Sequence, residues 1–183
     1  FGKLLELQAV FGFPHRPGSD IRYQASLGGG ALNDAGAYPV SALRALLQGE
    51  PTIEYSCIED SVARSIDVSG VSEFVDEVGA RGRASWRIGA AYINEIRAWC
   101  EDAHVIAERV FSKPDTLETL VRVVANGKLI HEEGVPPRNH FQAMLDAFVN
   151  SIGDDSANEV RQELVLQATS MQRIRDGLHK LVD

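Results

Sequence analysis

Between Pro51 and Glu133 the chain is a run of short β-like segments, and on either side of that run the pattern turns helical. PTIEYSCIED, ARSIDVSGVSEFVDEV, GRASWRIGA, YINEIRAWCE, HVIAERVF, TLVRVVA and KLIHEE are alternating or rich in β-branched and aromatic residues, and turn residues separate them. Asn126-Gly127 is a hairpin turn between the last two. Short strands joined by tight turns imply a largely antiparallel sheet. Lys3 to Phe13 adds a first strand. From Ala31 to Leu47 the apolar spacing becomes helical, and Pro39 inside it predicts two pieces with a kink between Gly36 and Pro39. After VPPRN, Phe141, Met144, Leu145, Phe148, Val149 and Ile152 form one helical face. Val160, Leu164, Ala168, Met171, Ile174 and Leu178 form another, on a helix from about Ala157 to Leu181 that Asp155 or Ser156 caps. Helices segregated from a run of antiparallel strands define an α+β fold, an open sheet with helices on one face.

The opposite face must meet something too. With Phe74, Trp86, Ile88, Trp99 or their alternating neighbours on it, it is a predicted contact surface, most simply for another copy of the chain. The alternative is a solvated face with scattered aromatics. At 183 residues the chain is read as a single domain, 1–183. A net charge of −8 argues against nucleic acid or an acidic membrane surface as partner. No apolar run approaches the roughly 20 residues of a membrane span. Cys57 and Cys100 read as buried small hydrophobes in a reducing compartment, so a cytoplasmic location is expected. The five histidines are scattered without ligand spacing, and no metal site is predicted.

Gly28, Gly29 and Gly30 lead into the first helix. A phosphate-cradling loop needs a buried strand before it and a GxGxxG spacing, and neither is present. Without a Cβ, the glycines let another chain segment or a small ligand lie against the backbone. Asp34 and Tyr38, four apart, fall on one helical face. A carboxylate beside a phenol is usable for proton transfer, with the Asp orienting a hydroxyl or tuning the Tyr. Equally, Tyr38 can be core and Asp34 a first-turn acid.

The stretch LGGGALNDAGAYPVSALRALLQGEP resembles the opening of the C-terminal domain's helix in the glucose-fructose oxidoreductase / inositol dehydrogenase (Gfo/Idh/MocA) family. The family's D-x-G-x-H/Y motif is matched by Asp34 to Tyr38 in its Tyr form. GKLLELQAVFGF, RVFSKP, NHFQAMLDAFVNSI and ELVLQATSMQRIRDGL are similar to the family's first strand, a later strand end and its two closing helices. The resemblance implies the open sheet already read from the pattern, with oligomerisation through its free face. It also implies an N-terminal Rossmann domain that binds NAD(P) and carries an E-K-P motif. Neither GxGxxG nor E-K-P occurs here, since Lys113-Pro114 stands in another context. The chain is therefore expected to be the substrate-binding and oligomerisation part of an NAD(P)-dependent oxidoreductase acting on a sugar, nucleotide-sugar or cyclic diol. It would bind no cofactor of its own and be inactive in isolation. Tyr38 matches the catalytic acid/base and Asp34 the acid that positions the reacting hydroxyl. Arg22, Tyr92 and Asn94 are candidate substrate contacts. Glu101 and Asp102 stand where the family more often has a Gly-rich turn. The alternative function is a non-catalytic assembly module that kept the fold.

Overall fold

In a computed structural model, residues 1–61, 63, 65–152 and 156–177 are described. Eight strands form one sheet: β1 (Leu4–Phe13), β2 (Thr52–Ser61), β3 (Ile66–Val75), β4 (Arg81–Ile88), β5 (Ile93–Cys100), β6 (His104–Glu108), β7 (Thr119–Ala125) and β8 (Lys128–Val135). Their order is β2-β3-β4-β1-β5-β6-β7-β8. Every pairing is antiparallel except β1 with β4, where Phe11 stands beside Trp86 and Phe13 beside Ile88. The β7–β8 hairpin closes on Asn126 and Gly127, both at positive φ, as a two-residue primed turn demands. The expected α+β architecture is the one observed.

The first helix does come in two pieces. Leu32–Gly36 is a π-helical turn, in which the Ala37 N–H reaches back to the Leu32 carbonyl, and α1 (Ala37–Leu46) continues from it. The widened turn lies directly ahead of Pro39, which has no N–H to contribute. Val40 and Leu43 of α1 are fully buried against β1 and β4. Two further helices follow the sheet, α2 (His140–Ser151) and α3 (Ser156–Asp176). Asn139 caps α2 by accepting the Gln142 N–H at 3.0 Å. Residues 155, 178 and 181, assigned above to the last helix and its cap, lie outside the described residues. No helix among the described residues is long and apolar enough to cross a membrane.

Several expectations about burial are overturned. Phe74, Trp86 and Ile88 do not lie on the open face; they are buried beneath the helices, and of the four residues named only Trp99 is open, at 60% exposure. Strand alternation separates two sets of residues but does not say which set a helix will cover. Trp86 belongs to the covered set because Gly36 and Gly70 make room for it: a Cβ on either would lie within 3 Å of its indole. Cys57 is exposed rather than buried, since it points outward beside Val71 on the edge strand, and Cys100 is half-buried; both thiols are free. On α3 only the C-terminal half of the expected face is covered, Ile174 fully and Met171 in part, whereas Val160, Leu164 and Ala168 are exposed. No residue of α2 is buried.

Candidate functional site

The central strand β1 ends in Phe11 and Phe13, and the chain then loops through Pro14, His15 and Arg16 before turning back toward the start of α1. An open cleft of about 270 Å³ lies between that loop and the helix, and Asp34, Tyr38, Arg22 and Tyr92 all line it. Tyr38 is 41% exposed, so it is not a sealed core residue. Its ring packs edge-on against Phe11, with centroids 5.3 Å apart, and is tilted against Phe111 at 5.9 Å. Two aromatic contacts fix the ring while part of it stays open to the cleft.

Asp34 does not stand alone. Its Oδ2 accepts the Arg22 Nε–H at 2.7 Å, and Arg22 Nη1 donates to Asp20 at 3.1 Å. The hydrogen bond to Asp34, ahead of that to Asp20, raises the Arg22 guanidinium above its ordinary value. The Arg22 backbone N–H, followed by its side chain, holds the Asp20 carboxyl below its ordinary value. Arg22 Nη2 donates to nothing among the described residues. Arg22 and Asp34 thus line the cleft as an ion pair, and Asp20 holds Arg22 a second time, two carboxylates to one guanidinium.

Tyr92 sits just ahead of β5, not in it, and Arg109 stacks its guanidinium 4.3 Å from the ring centre. Asn94, by contrast, is 4% exposed and does not reach the cleft. Its Nδ2 donates to the Tyr92 hydroxyl at 3.0 Å and its Oδ1 accepts the Phe111 N–H at 2.9 Å. Asn94 thereby fastens Tyr92, which lines the cleft, and through its backbone Phe111, which is buried against Tyr38.

Gly29 and Gly30 make room for the protein's own chain. Gly28 and Gly30 take positive φ of 73° and 123°. A Cβ on Gly29 would lie 2.7 Å from the Arg22 carbonyl, and one on Gly30 would collide with the Asp67 carboxylate. Asp67 accepts the Leu32 N–H and so caps the helix start from β3. Burial pushes the Asp67 carboxyl up, against the opposing pull of that N–H. Neither Asp67 nor the buried Tyr23, which reaches toward the His15–Arg16 loop, carries a local sequence signal. The close packing behind the glycines is the only trace of the first. Among the described residues no group of His, Cys, Asp and Glu could hold a metal ion.

An open antiparallel sheet carrying one parallel pair, with a Tyr and an Asp presented from a π-turned helix beside its central strand, frames the cleft. The chain belongs to the GFO/IDH/MocA family: the profile of that family's C-terminal domain matches residues 1–106. It is 27% identical over 184 residues to a dTDP-3,4-didehydro-2,6-dideoxy-alpha-D-glucose 3-reductase of Saccharopolyspora spinosa, covering 94% of this chain and 55% of the relative. It is 25% identical to D-xylose 1-dehydrogenase (NADP(+)) 2 of Haloferax volcanii, covering 98% of this chain and 54% of that one. Among solved structures, KijD10, a 3-ketoreductase from Actinomadura kijaniata in complex with NADP and TDP-benzene, superimposes with a TM-score of 0.89 at 25% identity, over 96% of this chain and 54% of that one. The chain spans about half the length of the relatives it matches.

Proposed function

We propose that residues 1–183 are the C-terminal substrate-binding and oligomerisation domain of an NAD(P)-dependent oxidoreductase acting on a sugar, nucleotide-sugar or cyclic diol. In the intact cytoplasmic protein an N-terminal Rossmann domain completes the active site. The observation that carries this reading is Tyr38, fixed by Phe11 and Phe111 yet open to the cleft that Asp34 and Arg22 also line. The family membership and the NADP complex of KijD10 support it.

In this reading the cofactor is held by the other domain, and when bound it supplies the hydride. This chain's residues act on the other end of the reacting bond. Tyr38 gives its phenolic proton to the substrate carbonyl oxygen as that oxygen gains negative charge, and regains a proton through the open cleft. Asp34, held by Arg22, receives a substrate hydroxyl and sets the distance to Tyr38. In this reading Arg22 Nη2 and Tyr92 contact further substrate oxygens. Asn94 serves this arrangement by holding Tyr92. The chain alone binds no cofactor and turns nothing over.

The open face of the sheet is the assembly surface in this reading. It carries exposed Trp99, Tyr55 and Cys57 among ion-paired rows such as Glu73–Arg83 and Glu59–Arg87, and a second copy of the same face is the partner. In the intact protein, Tyr38→Phe lowers turnover about 100-fold or more, followed by nicotinamide absorbance, because it removes the proton and little packing. An unaltered turnover number would reduce the chain to an assembly module.

A further inference from the structure

Beside the Arg22 row, in which two carboxylates hold one guanidinium, the cleft has a second wall. His15 and Arg16 follow β1 after Pro14, and both line the cleft. Their position is set by Tyr23, which is buried at 8% exposure. The Tyr23 hydroxyl accepts the Arg16 backbone N–H at 3.0 Å and stands 3.3 Å from His15 Nδ1. One buried phenol thus pins two consecutive loop residues. The His15 ring also lies flat on the turn after β4, where a Cβ on Gly89 would fall 2.3 Å from Cε1. The Arg16 guanidinium rests 5.5 Å from the centre of the Phe13 ring, which orients it over the cleft floor.

Arg22 is bonded to Asp20 and Asp34, whereas Arg16 forms no ion pair with a carboxylate among the described residues. Arg16 acts on the Asp20 carboxyl only at a distance, and its exposed, pre-oriented guanidinium, bonded directly to no carboxylate among the described residues, is suited to a planar, two-pronged hold on a phosphate. The rest of the molecule makes that local charge necessary, because a net charge of −8 repels an anionic ligand unless a dedicated cation receives it.

We propose that His15 and Arg16 form an anion subsite on the rim of the cleft, taking the phosphate of a phosphorylated or nucleotidyl sugar whose ring lies against Tyr38. This deepens the preceding section and rests on its placement of the sugar in the cleft. It narrows the substrate from sugars in general to sugars carrying phosphate within reach of the reacting carbon. Neutral aldoses and cyclic diols leave the subsite unused.

The test is calorimetric titration of the protein with thymidine diphosphate, with adenosine 2′,5′-bisphosphate as the probe for a cofactor phosphate, and with an uncharged methyl glycoside. Thymidine diphosphate is expected to bind, with affinity falling roughly 10-fold or more in Arg16→Ala, since a charge-assisted contact is lost. His15→Gln weakens it less, and added salt weakens it in wild type more than in Arg16→Ala. The Arg16 backbone bond to Tyr23 does not depend on the side chain, so this variant keeps the loop in place. Wild type that ignores thymidine diphosphate, or an Arg16→Ala variant that binds it as tightly as wild type, overturns the subsite. Equal dependence of adenosine 2′,5′-bisphosphate on Arg16 assigns the anion to the cofactor and overturns the substrate reading. Failure of the two proposals is separable: in the intact enzyme Arg16→Ala raises KM for a nucleotidyl sugar and leaves kcat, whereas Tyr38→Phe lowers kcat. Thymidine diphosphate binding that depends on Arg16, without any effect of Tyr38→Phe on turnover, leaves the subsite standing and removes the catalytic role.

Discussion

α1 and α2 are both short amphipathic helices, and they end up in opposite circumstances. α1 places Val40 and Leu43 at zero exposure between the sheet and α3. α2 presents Phe141, Met144, Leu145, Phe148 and Val149 at helical spacing, and each is more than half exposed. The apolar stripes are comparable, so the stripe does not decide the outcome. What differs is the tethering. α1 is preceded by a π turn capped from β3 by Asp67 and is followed by Gln48, whose N–H donates to Asp76 at 3.1 Å. Arg44, on its buried side, pairs with Glu50 at 2.7 Å and with Glu163 of α3 at 3.0 Å. Among the described residues the side-chain hydrogen bonds of α2 stay local: the Asn139 cap, Gln142 to Asp146, and Ser151 to the Phe148 carbonyl. An apolar face states that burial is favourable; polar contacts with distant strands determine what buries it.

Substitutions can break this contrast in order of size. Leu43→Ala leaves a cavity under α1 and costs about 2–5 kcal/mol in denaturant unfolding. A loss under 1 kcal/mol would mean that α1 is no better packed than α2. Asp76→Asn comes next. Burial alone would raise the Asp76 carboxyl, but the backbone N–H groups of Gln48, Ala80, Val78 and Gly79 outweigh it and hold it below the ordinary carboxylate range. A carboxyl with a depressed folded-state value stabilises fully above its unfolded value of about 3.9 and loses that contribution as pH falls through the folded value. Melting curves should therefore show wild type above Asp76→Asn near neutrality, with the gap closing below about pH 4. A gap independent of pH contradicts the carboxylate's role. Phe148→Ala, on α2, is the smallest change, within about 0.5 kcal/mol in this chain despite the size of the side chain. A cost of several kcal/mol would show that α2 is covered in solution.

The same contrast explains what was legible in the sequence. Periodicity located all eight strands and the three helical regions, because alternation and the 3.6 spacing are local. It placed Asp34 and Tyr38 together for the same reason. It did not decide whether Trp86 and Phe74 or their alternating neighbours face the open side, because the choice of covered face depends on Gly36 and Gly70 accepting an indole, a contact across β4, β3 and the helix. It left Asn94 undivided from Tyr92 as a cleft residue, although the strand turns Asn94 inward to Phe111. Asp67, 35 residues from the N–H it caps, and Tyr23, behind the His15–Arg16 loop, are visible only once β1, β3 and the helix are assembled.

β1 has a further consequence. On one side of it β2, β3 and β4 form a meander from neighbouring segments, and on the other β5 to β8 form a second. Each could zip up from contacts close in sequence, yet neither pairs with the other except through the ten residues Leu4–Phe13. The stretch that unites the halves is also the one whose far end supplies Phe11 and Phe13 to the cleft. Joining the two meanders and forming the cleft floor are therefore a single folding event, and a half-assembled molecule has no pocket to offer.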